Sequence, residues 1–379
     1  MTALKSDGRT RFGATKRLST IAALIGSVLL VDCMGESPSG LDSERTFESG
    51  RCSLDAAYIM GVVPPGFIPA LTLPIMVGAD APPTSAETAG YLSDSDRVLG
   101  IVLNGEARAY PHKILKQHEI VNDRVGDTWV SVTYCPLTGS GLVFDPHIDG
   151  QRLDLGVSGL LFANNLVMYD RASGAIYGPQ LSVEGRCDVF RGESLAVFPV
   201  QEMSWGRWKH FHPDTKVIGV RAQDDRYLED PYRGYDDIDN YDIWYPGPVD
   251  TSRPPKERVL AVRVGDGGRG YPFGELAALG ETSVVNEVVG EIPTVILYEA
   301  AFGENAVAFD ARVDGEALEW EVAGIGIWAD VQTGSRWTIE GVAFDGPLKG
   351  TVLEPRADAY VAFWFAWRHF QPEGTPFLG

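Results

Sequence analysis

Cysteine, histidine and methionine are scarce in this chain of 379 residues, at four, six and six. So few soft or imidazole ligands exclude a dense disulfide scaffold and a cysteine-rich metal cluster. Positive charge is also short: 32 Lys+Arg face 52 Asp+Glu, for a formal net charge of −20. Neutralising a phosphate backbone needs a basic face, so a nucleic-acid partner is excluded. Long apolar runs are missing. The longest, at 21–31, is short of the about 20 residues that a membrane-spanning helix needs. The spacings of a zinc knuckle, a covalent haem site and an EF-hand loop are absent as well. Glycine and proline abound, at 43 and 24, and 44% of the residues are hydrophobic. That balance points to a turn-rich, β-dominated globular protein, neither a helical bundle nor a disordered acidic chain.

The N-terminus carries Lys5, Arg9, Arg11, Lys16 and Arg17 ahead of the apolar run. A basic segment followed by a short apolar one has the form of a secretory leader, here assigned to residues 1–32. Leu30-Val31-Asp32-Cys33 then resembles a bacterial lipobox, with Asp32 where a small residue is usual. Cys33 is therefore the candidate lipidation site. The expectation is an exported cell-envelope protein, anchored to a membrane by that lipid and facing the periplasm or the outside. Residues 33–97 read as a tether and extension. With Cys33 lipidated, three thiols remain and one must stay unpaired. Cys52 with Cys187 is the favoured pair of the three, which would leave Cys135 free.

A degenerate repeat organises the rest. Ala107-Arg108-Ala109-Tyr110-Pro111 recurs as Gly268-Arg269-Gly270-Tyr271-Pro272, and Ile120-Val121-Asn122-Asp123 recurs as Val284-Val285-Asn286-Glu287. Near the end of each copy, Trp205-x-x-Trp208-x-His210-Phe211-x-Pro213 matches Trp364-x-x-Trp367-x-His369-Phe370-x-Pro372. Two related modules follow, 98–220 and 259–379, joined by an acidic, aromatic linker at 221–258. Short β-branched runs, Asn-Gly and Asp-Gly turns, and helical spacing at 205–211 predict a β-rich α+β fold: two internally duplicated β-modules with a few short helices.

Chemistry resides where the copies differ. His118-Glu119 of the first copy becomes Thr282-Ser283, Tyr134-Cys135-Pro136 becomes Tyr298-Glu299-Ala300, and Met168 becomes Trp328. The first module therefore holds the candidate site. Its runs His118-Glu119-Ile120-Val121-Asn122-Asp123 and Val132-Thr133-Tyr134-Cys135-Pro136-Leu137-Thr138-Gly139-Ser140 resemble those of the bacterial domain-of-unknown-function family 3179. So do Asn165-Leu166-Val167-Met168-Tyr169-Asp170-Arg171 and Pro254-Pro255-Lys256-Glu257-Arg258-Val259-Leu260. The resemblance is close over 98–275 and loose beyond. It implies no activity, since the family is defined by sequence. Some members resemble a Cys-x-x-Cys at this turn; Thr138 here removes the second thiol, and with it a local dithiol exchange.

Three functions compete. The first is a soft-metal, copper-like or redox site, with Cys135 as thiolate, His118 as imidazole, Met168 as weak axial ligand, and His112 or His212 completing the set. The second is a Cys-dependent acyl or sulfur transferase or hydrolase. Cys135 would be the nucleophile, His118 its base, and Asn122 or Asp123 the orienting group. The third is a non-catalytic ligand-binding lipoprotein, with Tyr134, Asn165 and Arg171 among the contacts.

Overall fold

The computed structural model describes residues 51–82, 85–221 and 224–379. The expected leader at residues 1–32 and the lipidation candidate Cys33 lie outside the described residues. Strands dominate. The first half begins with β1 (Arg97–Leu103) and β2 (Glu106–Pro111), joined by Asn104-Gly105. Both turn residues have positive φ, 53° and 75°, which suits Asn and Gly and matches the twist of a two-residue hairpin. Helix α1 (His112–His118) follows Pro111 directly and closes at Glu119, whose N–H donates to the Leu115 carbonyl. His118 therefore stands at a helix end, just before the strand that begins at Ile120.

Three antiparallel strands come next: β3 (Ile120–Val125), β4 (Thr128–Cys135) and β5 (Ser140–Phe144). Then come β6 (Leu155–Phe162), β7 (Asn165–Asp170) and β8 (Ile176–Pro179). The half closes with β9 (Gln201–Ser204), helix α2 (Trp205–Phe211) and β10 (Lys216–Ile218). Ser204 caps α2 by accepting the Arg207 N–H, and the i, i+3 pair Trp205 and Trp208 is buried.

The second half runs β11 (Arg258–Val264), β12 (Gly267–Pro272), α3 (Phe273–Ala278), β13 (Thr282–Val289), β14 (Ile292–Glu299) and β15 (Asn305–Asp310). It continues through β16 (Trp320–Gly324), β17 (Ile327–Asp330), β18 (Arg336–Trp337), β19 (Ala359–Phe363), α4 (Trp364–Phe370) and β20 (Thr375–Pro376). The fold is thus β-rich with a few short helices. Among the described residues, no helix is long and apolar enough to cross a membrane.

Strand alternation places the site. On β4, Val130, Val132 and Tyr134 face one core, with Leu99, Tyr110 and Leu115. Cys135 faces another. That second core joins Leu142, Leu166 and Met168 to Val259, Tyr360, Phe363 and Trp364 of the other half. The turn after Cys135 packs against β19: the Phe363 N–H donates to the Thr138 carbonyl at 2.8 Å. Gly139 has φ 58°, and a Cβ there would lie 2.6 Å from the Phe363 ring.

Residues 224–257 contain only a short 3-10 turn, Asp225–Leu228. They pack on the first half as a strap instead of hanging free. Tyr227 enters the core of β1–β4, and Tyr235 the core containing Cys135. Lys116 pairs with Asp230 at 2.6 Å and Asp236 at 3.2 Å. Cys52 and Cys187 form a disulfide, and Cys135 is free and buried.

Candidate functional site

Cys135 is 1% exposed. Its thiol donates to the Asn164 carbonyl at 3.4 Å and accepts the Leu166 N–H at 3.3 Å. Burial, and then the charge of Glu119, push the thiol up to about 12. Behind it runs a closed polar network. Gln180 bonds Thr133 at 2.8 Å and Ser140 at 2.9 Å, while Asn165 bonds Thr138 at 3.0 Å and Gln180 at 3.1 Å. Thr138 and Ser140 share a 2.8 Å bond. These side chains satisfy one another, as buried polar groups must. Asn165 therefore braces the turn.

His118 does not serve Cys135. Its Nδ1 lies 2.7 Å from the Pro69 carbonyl and its Nε2 2.9 Å from the Tyr227 hydroxyl. A carbonyl only accepts, so Nδ1 carries the proton and Nε2 accepts from Tyr227. Burial lowers the His118 pKa, which keeps the ring neutral. His118 thus ties the extension and the strap to α1. The expected Cys135–His118 pair has no hydrogen bond, because the helix end turns the ring toward other elements.

The remaining candidates also separate. Asn122 donates to the Leu155 carbonyl at 2.8 Å and accepts the Ser131 hydroxyl at 2.7 Å, joining two sheets. Asp123 accepts from Tyr110 at 2.8 Å and is ion-paired with Arg108. Neither touches His118 or Cys135. Met168 is fully buried in the same apolar core as Cys135. His112 stacks on Tyr134, ring centroids 4.2 Å apart, and burial brings its pKa down to about 3. Its Nε2 has no partner. His212 bonds Glu340 at 2.8 Å, far along the chain from the Cys135 turn. Arg171 pairs with Asp154 at 2.6 Å and also bonds Thr72. Among the described residues, no group of three or more His, Cys, Asp or Glu could hold a metal ion. The soft-metal set is not brought together: both His118 nitrogens are engaged by Pro69 and Tyr227, His112 stacks on Tyr134, and Met168 serves as core.

What stands beside Cys135 is Glu119. Its carboxyl is 5% exposed, and burial pushes it up to about 8. Its backbone has φ 55°, uncommon for a residue with a side chain. The Glu119 carbonyl also accepts the Tyr134 N–H at 2.8 Å, which fixes it beside the end of β4. The strap covers the pair. The Tyr232 hydroxyl lies 3.4 Å from Glu119 Oε1. Tyr235 donates to the Leu137 carbonyl at 3.0 Å and accepts from Asn164 at 3.2 Å. Lys256, 1% exposed, holds the strap from below: its ammonium donates to the Tyr235 carbonyl at 2.6 Å and to Asn240 at 3.1 Å. It also sits 3.3 Å from the Tyr235 ring centroid. Burial lowers this ammonium to about 8.

Sequence reasoning passed over Glu119, Tyr232, Tyr235 and Lys256 as a group. Two signals pointed that way. Glu119 aligns with Ser283 in the sequence motifs that resemble one another, and Lys256 lies in one of the runs that carry the family resemblance.

Fold and site together define a β-rich α+β protein with a thiol and a carboxyl enclosed beneath a strap. The family described as protein of unknown function (DUF3179) matches residues 65–374, and the chain belongs to it. Comparisons with curated proteins and with solved structures return no match.

Proposed function

We propose that this is an exported cell-envelope protein whose working centre is Cys135, a nucleophile for acyl or sulfur groups, with Glu119 as its proton acceptor. The observation that carries this reading is the buried Glu119 carboxyl, held at positive φ with its pKa raised, beside the free thiol of Cys135. Strained backbone and raised carboxyl pKa values concentrate at working sites. Glu119 takes the role first given to His118, whose nitrogens are both occupied.

With the strap closed, the centre is latent. Burial raises both the thiol and the carboxyl, so neither is ionised near neutral pH while the strap is closed. Displacing Tyr232 and Tyr235 would admit water, lower both toward their ordinary values, and leave Glu119 ionised and able to accept the thiol proton. In an acyl transfer, the thiolate attacks the carbonyl carbon and the S–C bond forms. The bond to the leaving oxygen breaks, and the proton on Glu119 passes to that oxygen.

Two supports bear on origin and place. The strand order β9-β1-β2-β10 parallels β19-β11-β12-β20, and β3-β4-β5 parallels β13-β14-β15. Both orders favour a duplicated module. Glu299, the counterpart of Cys135, is neutralised by Arg207 at 2.7 Å, which favours the first copy as the active one. The Cys52–Cys187 disulfide suits an oxidising compartment, and a lipid on Cys33 would anchor the chain there.

The test is covalent labelling of Cys135 by an activated acyl ester and by an aromatic disulfide, read by intact mass. The wild type should label slowly. Tyr232→Ala should label at least tenfold faster, and adding Glu119→Gln should remove most of that gain. Labelling that is equally slow in all three while the fold is retained would reduce Cys135 to a packing residue.

A further inference from the structure

A second candidate site has a lining that includes neither Cys135 nor Glu119. A cavity of about 290 Å³ opens where the disulfide-bound extension, the 180–186 loop and the end of α4 meet. Two guanidinium groups line it, Arg186 and Arg263. Arg186 is ion-paired with Glu184 at 3.7 Å, too long for a hydrogen bond, which leaves its N–H donors available. Arg263 bonds only the Leu181 carbonyl, at 2.8 Å. The Nε of each is without a partner, as is Oε1 of Gln371, a wall residue only 3% exposed.

The rest of the wall is mixed: aromatic rings, two serines, and the carboxylates of Asp55 and Asp266 toward its rim. Phe162 and Phe370 supply flat aromatic surface on either side of His369. His369 bonds Tyr245 at 3.1 Å, and burial lowers its pKa, so it adds no cation. Asp55 already accepts the Ala57 N–H at 2.9 Å, and Asp266 faces solvent.

We propose that this cavity binds a carboxylate that carries a hydrogen-bond donor and an aromatic or apolar group next to it. Planar guanidinium donors match a carboxylate in geometry and charge. An acceptor-only Oε1 asks for an N–H or O–H beside that carboxylate. The aromatic walls take the apolar group. An N-acylated amino acid and a peptide C-terminus share this chemistry.

Calorimetry on the full chain with N-acetyl-phenylalanine tests the assignment. Its carboxamide, which lacks the charge, should bind at least tenfold more weakly. Phenylpropionate, which lacks the N–H, should also bind more weakly. Arg263→Gln and Arg186→Gln should each lose tenfold or more for the acid with an unchanged melting temperature. Gln371→Leu should weaken the N-acetyl compound and leave phenylpropionate unaffected. A phenylalanine-ended peptide that binds as well as the free acid, and no longer binds once amidated, identifies a peptide terminus. A peptide that fails to bind beside a binding free acid identifies the small carboxylate. Equal affinity for acid and carboxamide, no binding at millimolar acid, or unchanged affinity in both arginine variants would overturn the proposal. None of these readouts involves Cys135, so failure here and failure of the thiol reading are distinct.

Discussion

Replacing Glu119 by glutamine should change how stability depends on pH more than it changes the fold. Gln keeps the length of the side chain and an oxygen for the Tyr232 hydroxyl, but it cannot ionise. In the folded protein, burial raises the Glu119 carboxyl from 4.5 to about 8. Between these values the folded state holds a proton that the unfolded chain has released. Stability from this group is therefore complete below pH 4.5 and falls as pH rises toward 8. At about 1.36 kcal/mol per pH unit, the loss across the interval is about 5 kcal/mol. The side chain is only 5% exposed, so solvent screening trims the figure little. Urea unfolding of wild type and Glu119→Gln at pH 5, 7 and 9 measures it. The variant should gain on the wild type by about 2–3 kcal/mol between pH 5 and 7 and by slightly more again by pH 9. Parallel pH profiles would refute the buried, protonated carboxyl and remove the proton acceptor from the proposed centre.

Three further outcomes follow from single contacts. Gly139→Ala should destabilise by about 2–3 kcal/mol, because a Cβ at φ 58° would lie 2.6 Å from the Phe363 ring; thermal unfolding reads it. Asp123→Ala should cost about 3–5 kcal/mol in denaturant unfolding, since Arg108 and Tyr110 lose their shared buried acceptor. Reducing the Cys52–Cys187 bond, or replacing both residues with alanine, should cost about 3–5 kcal/mol, since it joins positions 135 residues apart. Scanning calorimetry with and without reductant checks this.

Some of the site was legible in residue order. Of the three possible pairings among Cys52, Cys135 and Cys187, the favoured Cys52–Cys187 bond is the one that forms, and Cys135 is free. The Trp-rich segment at 205–211 forms the helix its spacing predicts. The hairpin at Asn104-Gly105 forms because those two residues tolerate positive φ. Of the aromatic linker, Tyr227 and Tyr235 enter two cores while Tyr241 stays exposed. His118 shows where residue order misleads. It stands next to Glu119 and opposite the end of β4, yet its ring bonds Pro69 and Tyr227, 49 and 109 residues away. Nothing in local spacing reports partners at that distance.

Residue order by itself determined the strand alternation, the turns, the short helices and the family, because these depend on neighbours within a few positions. It also showed Cys135 and Glu119 standing where the similar second set of motifs has Glu299 and Ser283. Tertiary structure alone decided which of those groups meet. A pKa is set by everything that excludes water from a side chain, and for Glu119 and Cys135 much of that cover comes from the strap and the second half of the chain. Burial is a sum over distant segments, so a carboxyl that would titrate near 4.5 in the sequence titrates near 8 in the fold.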